Sequence, residues 1–203
     1  MPRHIFAIIA AAGRGRRMGR LKQLMPYRDG TMMDAVIDAV METPVEGLVL
    51  VTNELIVGRF VENPDEDLLI AVNSDPRSEM IDSVRIGLRR LREAFNPRAT
   101  DGVMILPGDQ PEIRSGVLTT CAEDFRRPRN APGILIATYR GRRAHPAIFR
   151  MNVIEEIESW ESGHGLNELA KLHPELVRQS PIHSGPMPID VNTPEDYERL
   201  RGR

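Results

Sequence analysis

Short apolar runs alternate with amphipathic stretches along most of the chain. The first run, Ile5-Phe6-Ala7-Ile8-Ile9-Ala10-Ala11, is continuous and ends in glycines, which predicts a buried strand over residues 5–11. Met32, Ala35, Val36 and Ala39 then fall on one helical face and predict a helix over 31–41. Further strands are expected over 47–51, 68–72 and 102–106. Between them lie a short helix over 55–61 and a longer one over 78–95, whose Ile81, Val84, Leu88 and Leu91 keep the helical period. A helix follows from Ile113 through Val117, Leu118 and Cys121. Beyond a polar loop over 126–132, strands are predicted over 134–139 and 147–149, helices over 153–160 and 165–172, and a last strand over 188–191. Thr193-Pro194-Glu195-Asp196 opens a final helix, with Thr193 as N-cap, Pro194 at the first helical position and Asp196 closing a capping box.

Strand and helix in regular alternation imply right-handed crossovers. The expected fold is therefore α/β: one Rossmann-like, three-layer domain spanning residues 1–203, with a mostly parallel sheet and helices on both faces. No repeat, low-complexity tract or linker divides it. A hydrophobic share of 41% supplies a core, and a net charge of −2 argues against a nucleic-acid-binding surface. The single cysteine, Cys121, can form neither an internal disulfide nor a zinc cluster and fits a reducing, cytoplasmic setting. The first apolar run falls short of the roughly 20 residues that would cross a membrane.

The chemistry concentrates after the first strand, in Ala11-Ala12-Gly13-Arg14-Gly15-Arg16-Arg17-Met18-Gly19-Arg20-Leu21-Lys22-Gln23-Leu24. Glycines there allow positive φ and close approach of backbone to ligand, and consecutive N–H groups can cradle an anion. Arg17 and Lys22 can neutralise phosphate charge, and ligands of open α/β sheets bind beyond the carboxyl ends of strands. A Walker A loop is excluded because Gln23, not Ser or Thr, follows Lys22, and a dinucleotide fingerprint is excluded because Met18 stands where its third glycine belongs.

This stretch resembles the signature of the MobA-like nucleotidyltransferases, carried by Ile9-Ala10-Ala11-Ala12-Gly13, Arg17-Met18-Gly19, Lys22 and Leu24-Met25-Pro26. The Ala-Ala-Gly form, with no Asp before Lys22, is similar to the molybdenum cofactor cytidylyltransferase branch. The resemblance runs from Ile5 to Asp196 with its pieces in family order. It implies a nucleotide-diphospho-sugar transferase type of fold, with Ala11, Ala12, Gly13, Arg14, Gly15, Arg17 and Lys22 on the nucleotide, and Arg17, Lys22 and Asp109 carrying the reaction. Asp109, in Leu106-Pro107-Gly108-Asp109-Gln110-Pro111, is implied as the Mg²⁺ ligand, helped by Asp190 of Asp190-Val191-Asn192-Thr193-Pro194-Glu195. Asn73 and Ser83 match a segment near base and ribose, although Glu79 stands where a glycine is common. His145, in Arg143-Ala144-His145-Pro146, and Asn192 are assigned to the acceptor side. Ala144 replaces a family glycine, and Asn192 replaces a frequent Asp.

What the resemblance implies is transfer of CMP from CTP to the terminal phosphate of a molybdopterin-type cofactor, releasing pyrophosphate, with a molybdoenzyme as eventual recipient and no nucleic acid or membrane partner. The alternatives are guanylyl transfer to molybdopterin, transfer to a sugar phosphate or phospholactate, and a non-catalytic chaperone for the molybdenum cofactor.

Overall fold

A computed structural model describes residues 3–15, 18–61, 68–127, 131–161, 163–183 and 188–202. In chain order it contains β1 (Ile5–Ala10), a small hairpin of β2 (Pro26–Tyr27) and β3 (Gly30–Thr31), α1 (Met32–Met41), β4 (Leu48–Thr52), α2 (Gly58–Val61), β5 (Leu68–Val72), α3 (Met80–Phe95) and β6 (Gly102–Pro107). The second half adds α4 (Ser115–Arg126), β7 (Ile134–Tyr139), β8 (Arg142–Arg150), α5 (Met151–Ile154), α6 (Asn167–Leu172), β9 (Val177–Ile182) and α7 (Pro194–Arg201). Seven strands form one sheet in the order β5-β4-β1-β6-β8-β7-β9. Only β8 runs against its neighbours, pairing antiparallel with both β6 and β7.

The alternation within each strand explains the layering. Along β1, Ile5, Ala7 and Ile9 point to one side, where Met33, Val36 and Val40 of α1 and Leu118, Cys121 and Phe125 of α4 pack. Phe6 and Ile8 point to the other, against Ile81, Val84, Leu88 and Leu91 of α3 and Leu169 of α6. Each such side chain, removed from water, contributes about 1.5–3 kcal/mol before entropy is counted. The crossover from β4 to β5 and α3 lies on one side of β1, and β6 lies on the other. The gap between the ends of β1 and β6 is therefore the switch point where open α/β sheets take ligands.

Sequence and structure part company at residues 188–191, at strands β8 and β9, and over 153–160, where α5 gives way to a 3-10 helix at Glu155–Ser159. No ladder forms over residues 188–191; the Ile189 amide donates instead to Glu112 at 3.2 Å. The last strand is β9, a polar edge strand with Pro181, which pairs parallel with β7. Its composition lacks the apolar run that marks a strand, and proline is tolerated there because the strand is an edge. The expected strand over 147–149 begins much earlier, at Arg142, after a tight turn in which Arg140 and Gly141 both have positive φ, 49° and 78°. Such a turn matches the strand twist of a two-residue hairpin. By contrast, the capping box at Thr193 forms as the sequence predicts: Thr193 accepts from the Asp196 amide, and Asp196 accepts from the amides of Asn192 and Thr193 at 3.0 and 2.9 Å. Among the described residues no helix is long and apolar enough to cross a membrane.

Candidate active site

Candidate residues from every part of the chain arrive at the carboxyl edge of the parallel strands. The loop over 11–15 leaves β1, Asn53 follows β4, Asn73 follows β5, and Gly108 and Asp109 follow β6. The reversed strand β8 brings its beginning, not its end, to this edge. Ala147 pairs with Ile105, so His145 sits beside the end of β6.

The loop after β1 is held by side chains that reach backbone carbonyls. Gln23, 2% exposed, donates its amide to the carbonyls of Ala11 at 2.9 Å and Gly13 at 2.6 Å. Asn53 donates to the Ala12 carbonyl at 3.0 Å. The Ala11 amide donates to the Val51 carbonyl at 2.8 Å, so the loop is pinned through both its carbonyls and this amide. Gly15 adopts φ +60°, and a Cβ there would lie 1.8 Å from the Arg20 carbonyl oxygen, so only glycine fits. At Gly108 a Cβ would lie 2.6 Å from that of Ala11, and its absence lets the two loops close over the switch point.

The charged groups converge next to this loop. The Lys22 ammonium pairs with the Asp109 carboxylate and donates to Asn192 Oδ1 at 3.1 Å. Gln110 donates to Asp190. His145 lies close enough to feel both carboxylates, yet burial is the stronger influence and lowers its pKa, keeping the imidazole neutral. The structure thus brings Lys22, Asp109, Asp190, Asn192 and His145 together. Arg14 takes a different partner: its guanidinium pairs with Glu54 and donates to the Ser74 carbonyl at 3.2 Å, tying the loop to the segment after β5. Asn73 and Ser83 are both buried and bond to each other at 3.1 Å. Arg17 falls outside the described residues.

Two hollows flank the charged cluster. One, of about 280 Å³, is walled by Gly13, Gly15, Lys22, Ser78 and Asn192. The other, of about 430 Å³, is lined by Gln110, His145, Asp190 and Arg143 with Ile136 and Phe149. Lys22 and Asn192 face the first, and Gln110 and Asp190 face the second, so the two hollows lie on either side of the cluster. Buried polar atoms without partners gather here too, among them Gln23 Oε1, Gln110 Oε1 and His145 Nδ1. Such atoms are rare in folded proteins, and Gln110 and His145 both line the larger hollow.

The MobA-like NTP transferase domain family matches residues 7–179. The chain belongs to that family. It is a nucleotidyltransferase, and its sheet and layers are those of the nucleotidyltransferase Rossmann-like fold. Among similar solved structures is Rv0371c from Mycobacterium tuberculosis H37Rv, 28% identical, covering 100% of both chains with a TM-score of 0.82. The same mycobacterial protein complexed with manganese is also similar, at 28% identity over 97% of each chain and a TM-score of 0.76. A nucleotidyl transferase from Methanothermobacter thermautotroptrophicus shares the fold at 20% identity, covering 98% of this chain and 96% of its own, with a TM-score of 0.76. No curated protein matches the chain.

Three residues of this nucleotidyltransferase site carry no motif of their own. Gln23, Asn53 and Gln110 act by holding carbonyls or a carboxylate across the edge. The signal that could have found Asn53 is its position, the first residue past a buried strand at the ligand-binding edge.

Proposed function

We propose that this nucleotidyltransferase transfers CMP from CTP to the terminal phosphate of a molybdopterin-type cofactor, for delivery to a molybdoenzyme in the cytoplasm. The observation that supports it most is the cluster of Lys22 with Asp109 and Asn192, set between the glycine loop after β1 and a second, larger hollow. The triphosphate belongs on the loop side, against Gly13 and Gly15. Ala12, together with Leu21 in place of an Asp before Lys22, favours the smaller pyrimidine base. The acceptor belongs in the hollow lined by His145 and Asp190, which falls within the usual 300–1,000 Å³ of small-molecule sites.

An acceptor phosphate oxygen forms a bond to the α-phosphorus. The bond from that phosphorus to the α,β-bridging oxygen breaks, and its electron pair leaves with pyrophosphate. The attacking oxygen is already ionised, so no side chain need remove a proton. The protein's work is positioning and charge neutralisation. Lys22, and Arg17 from the same loop, neutralise the triphosphate. Asn73 and Ser83 shape the nucleotide side from below, and neutral His145 orients the acceptor without adding charge.

A divalent ion fits the donor set: Asp109 and Asp190 offer hard carboxylate oxygens, and Asp109 with Asn192 already coordinates a cationic ammonium. Mg²⁺ held by Asp109 and Asp190 would supply further charge neutralisation on the phosphates. The manganese complex of the mycobacterial relative supports a divalent requirement.

Pyrophosphate release tests the reading, with CTP and GTP each offered beside a molybdopterin-type acceptor, a sugar phosphate and phospholactate. CTP with the molybdopterin acceptor is expected to lead, with roughly 10–200-fold discrimination against GTP from a steric contact at the base. Equal use of GTP would overturn the choice of nucleotide, and faster release with another acceptor would overturn the choice of acceptor.

A further inference from the structure

Lys22 is assigned to the triphosphate, yet its ammonium lies between the Asp109 carboxylate and Asn192 Oδ1. Both side chains of the ion pair are well shielded, 16% and 15% exposed. The partner carboxylate is the one expected to hold a divalent ion. A carboxylate that holds an ammonium on one oxygen binds a metal on the other less well, because the two cations repel each other at that distance.

Asn192 favours the ammonium at that place. Its backbone amide is committed to Asp196 in the cap of α7, which fixes the residue, and its side-chain oxygen is committed to Lys22. As a neutral acceptor it can bond an ammonium without adding the negative charge that would draw a metal ion. An aspartate at this position would strengthen both attractions.

We propose that Asn192 is a positioning residue that parks Lys22 on Asp109 in the nucleotide-free enzyme, so that Lys22 and the divalent cation compete for one place until a triphosphate draws the lysine away. The inference rests on the nucleotidyl-transfer reading and adds an order to it: metal binds weakly alone and well with nucleotide. The apparent affinity of a site falls in proportion to the fraction of molecules in which it is open.

Mn²⁺ binding, followed by electron paramagnetic resonance with and without CTP, tests this on the full chain. Without CTP, Lys22→Met is expected to bind Mn²⁺ about tenfold or more tightly than wild type, as for a site otherwise occupied nine-tenths of the time. With CTP present the same variant should bind the nucleotide more weakly, reversing the sign. Asn192→Ala separates competition from loss of a nearby charge, since it leaves net charge unchanged. Tighter nucleotide-free Mn²⁺ binding by Asn192→Ala, at an unchanged melting temperature, supports the parking role. Weaker binding would make Asn192 a metal ligand, unchanged binding would make it only a turn residue, and either overturns the proposal. If none of the three proteins binds Mn²⁺ even with CTP, the nucleotidyl reading itself falls, and this inference with it.

Discussion

At the scale of single residues, the site separates groups proposed to meet substrate from groups that hold the backbone. Asp109 is proposed to be of the first kind. It stands in a Pro/Gly turn past β6, so Asp109→Ala should leave the melting temperature within a few degrees while turnover falls about 10²–10³-fold, the usual effect of removing one charge-stabilising group. Turnover at the wild-type rate would reduce Asp109 to a turn former. Gln23 is of the second kind. Gln23→Leu fills similar space but leaves the carbonyls of Ala11 and Gly13 without their donor, at a cost of about 1–3 kcal/mol. Denaturant unfolding should show that loss. KM for the nucleotide should also rise, because the loop's amides lose their fixed direction, and an unchanged KM would mean that the loop is shaped without Gln23.

At the scale of elements, one carboxylate joins the start of the central strand to the strand beside it. Asp101 accepts from the amides of His4 and Arg98 at 3.0 and 2.8 Å and from the Arg98 guanidinium at 2.7 Å. Burial pushes its pKa up, but the bonds from Arg98 and His4 outweigh that and hold it below the usual range. Asp101→Asn should cost about 1–3 kcal/mol, discounted because Arg98 is partly exposed. A depressed carboxylate stabilises above its unfolded pKa and loses that contribution as pH falls through the folded value, so the variant should lie closest to wild type in acid. Urea midpoints at neutral and acidic pH check both statements. The strands β1, β4, β5, β6 and β7 were legible because each is a nearly unbroken apolar run, the mark of strands covered on both faces. The hairpin β2–β3 has two residues per strand, too few for any period, and polar β9 is recognisable only once β7 stands beside it. Lys22, Asp109 and Asp190 could be singled out because each stands in a motif, the first two in the segments that follow β1 and β6. The roles of Gln23 and Gln110 were not, since a bond to a distant carbonyl or carboxylate leaves no spacing in the sequence.

At the scale of the whole molecule, packing and charge join segments far apart in the chain. His173, at the end of α6, bonds Glu156 at 2.9 Å, and that bond, with Glu156 and Glu175 nearby, raises its pKa. A raised histidine stabilises fully below its unfolded pKa and loses that contribution as pH rises through the folded value. Melting temperatures from mildly acidic to mildly alkaline pH should therefore fall slightly more steeply for wild type than for Glu156→Gln; parallel curves would show that the pair is without effect. The hydrogen bond from Lys22 to Asn192 spans 170 residues. On a ribosome adding about 5–20 residues per second, on the order of ten to thirty seconds pass between the appearance of the lysine and that of its amide partner. Asp109 is made about midway through that interval and Asp190 and Asn192 only at its end, so a nascent chain can fold much of its sheet and still lack the cluster on which the chemistry is proposed to depend.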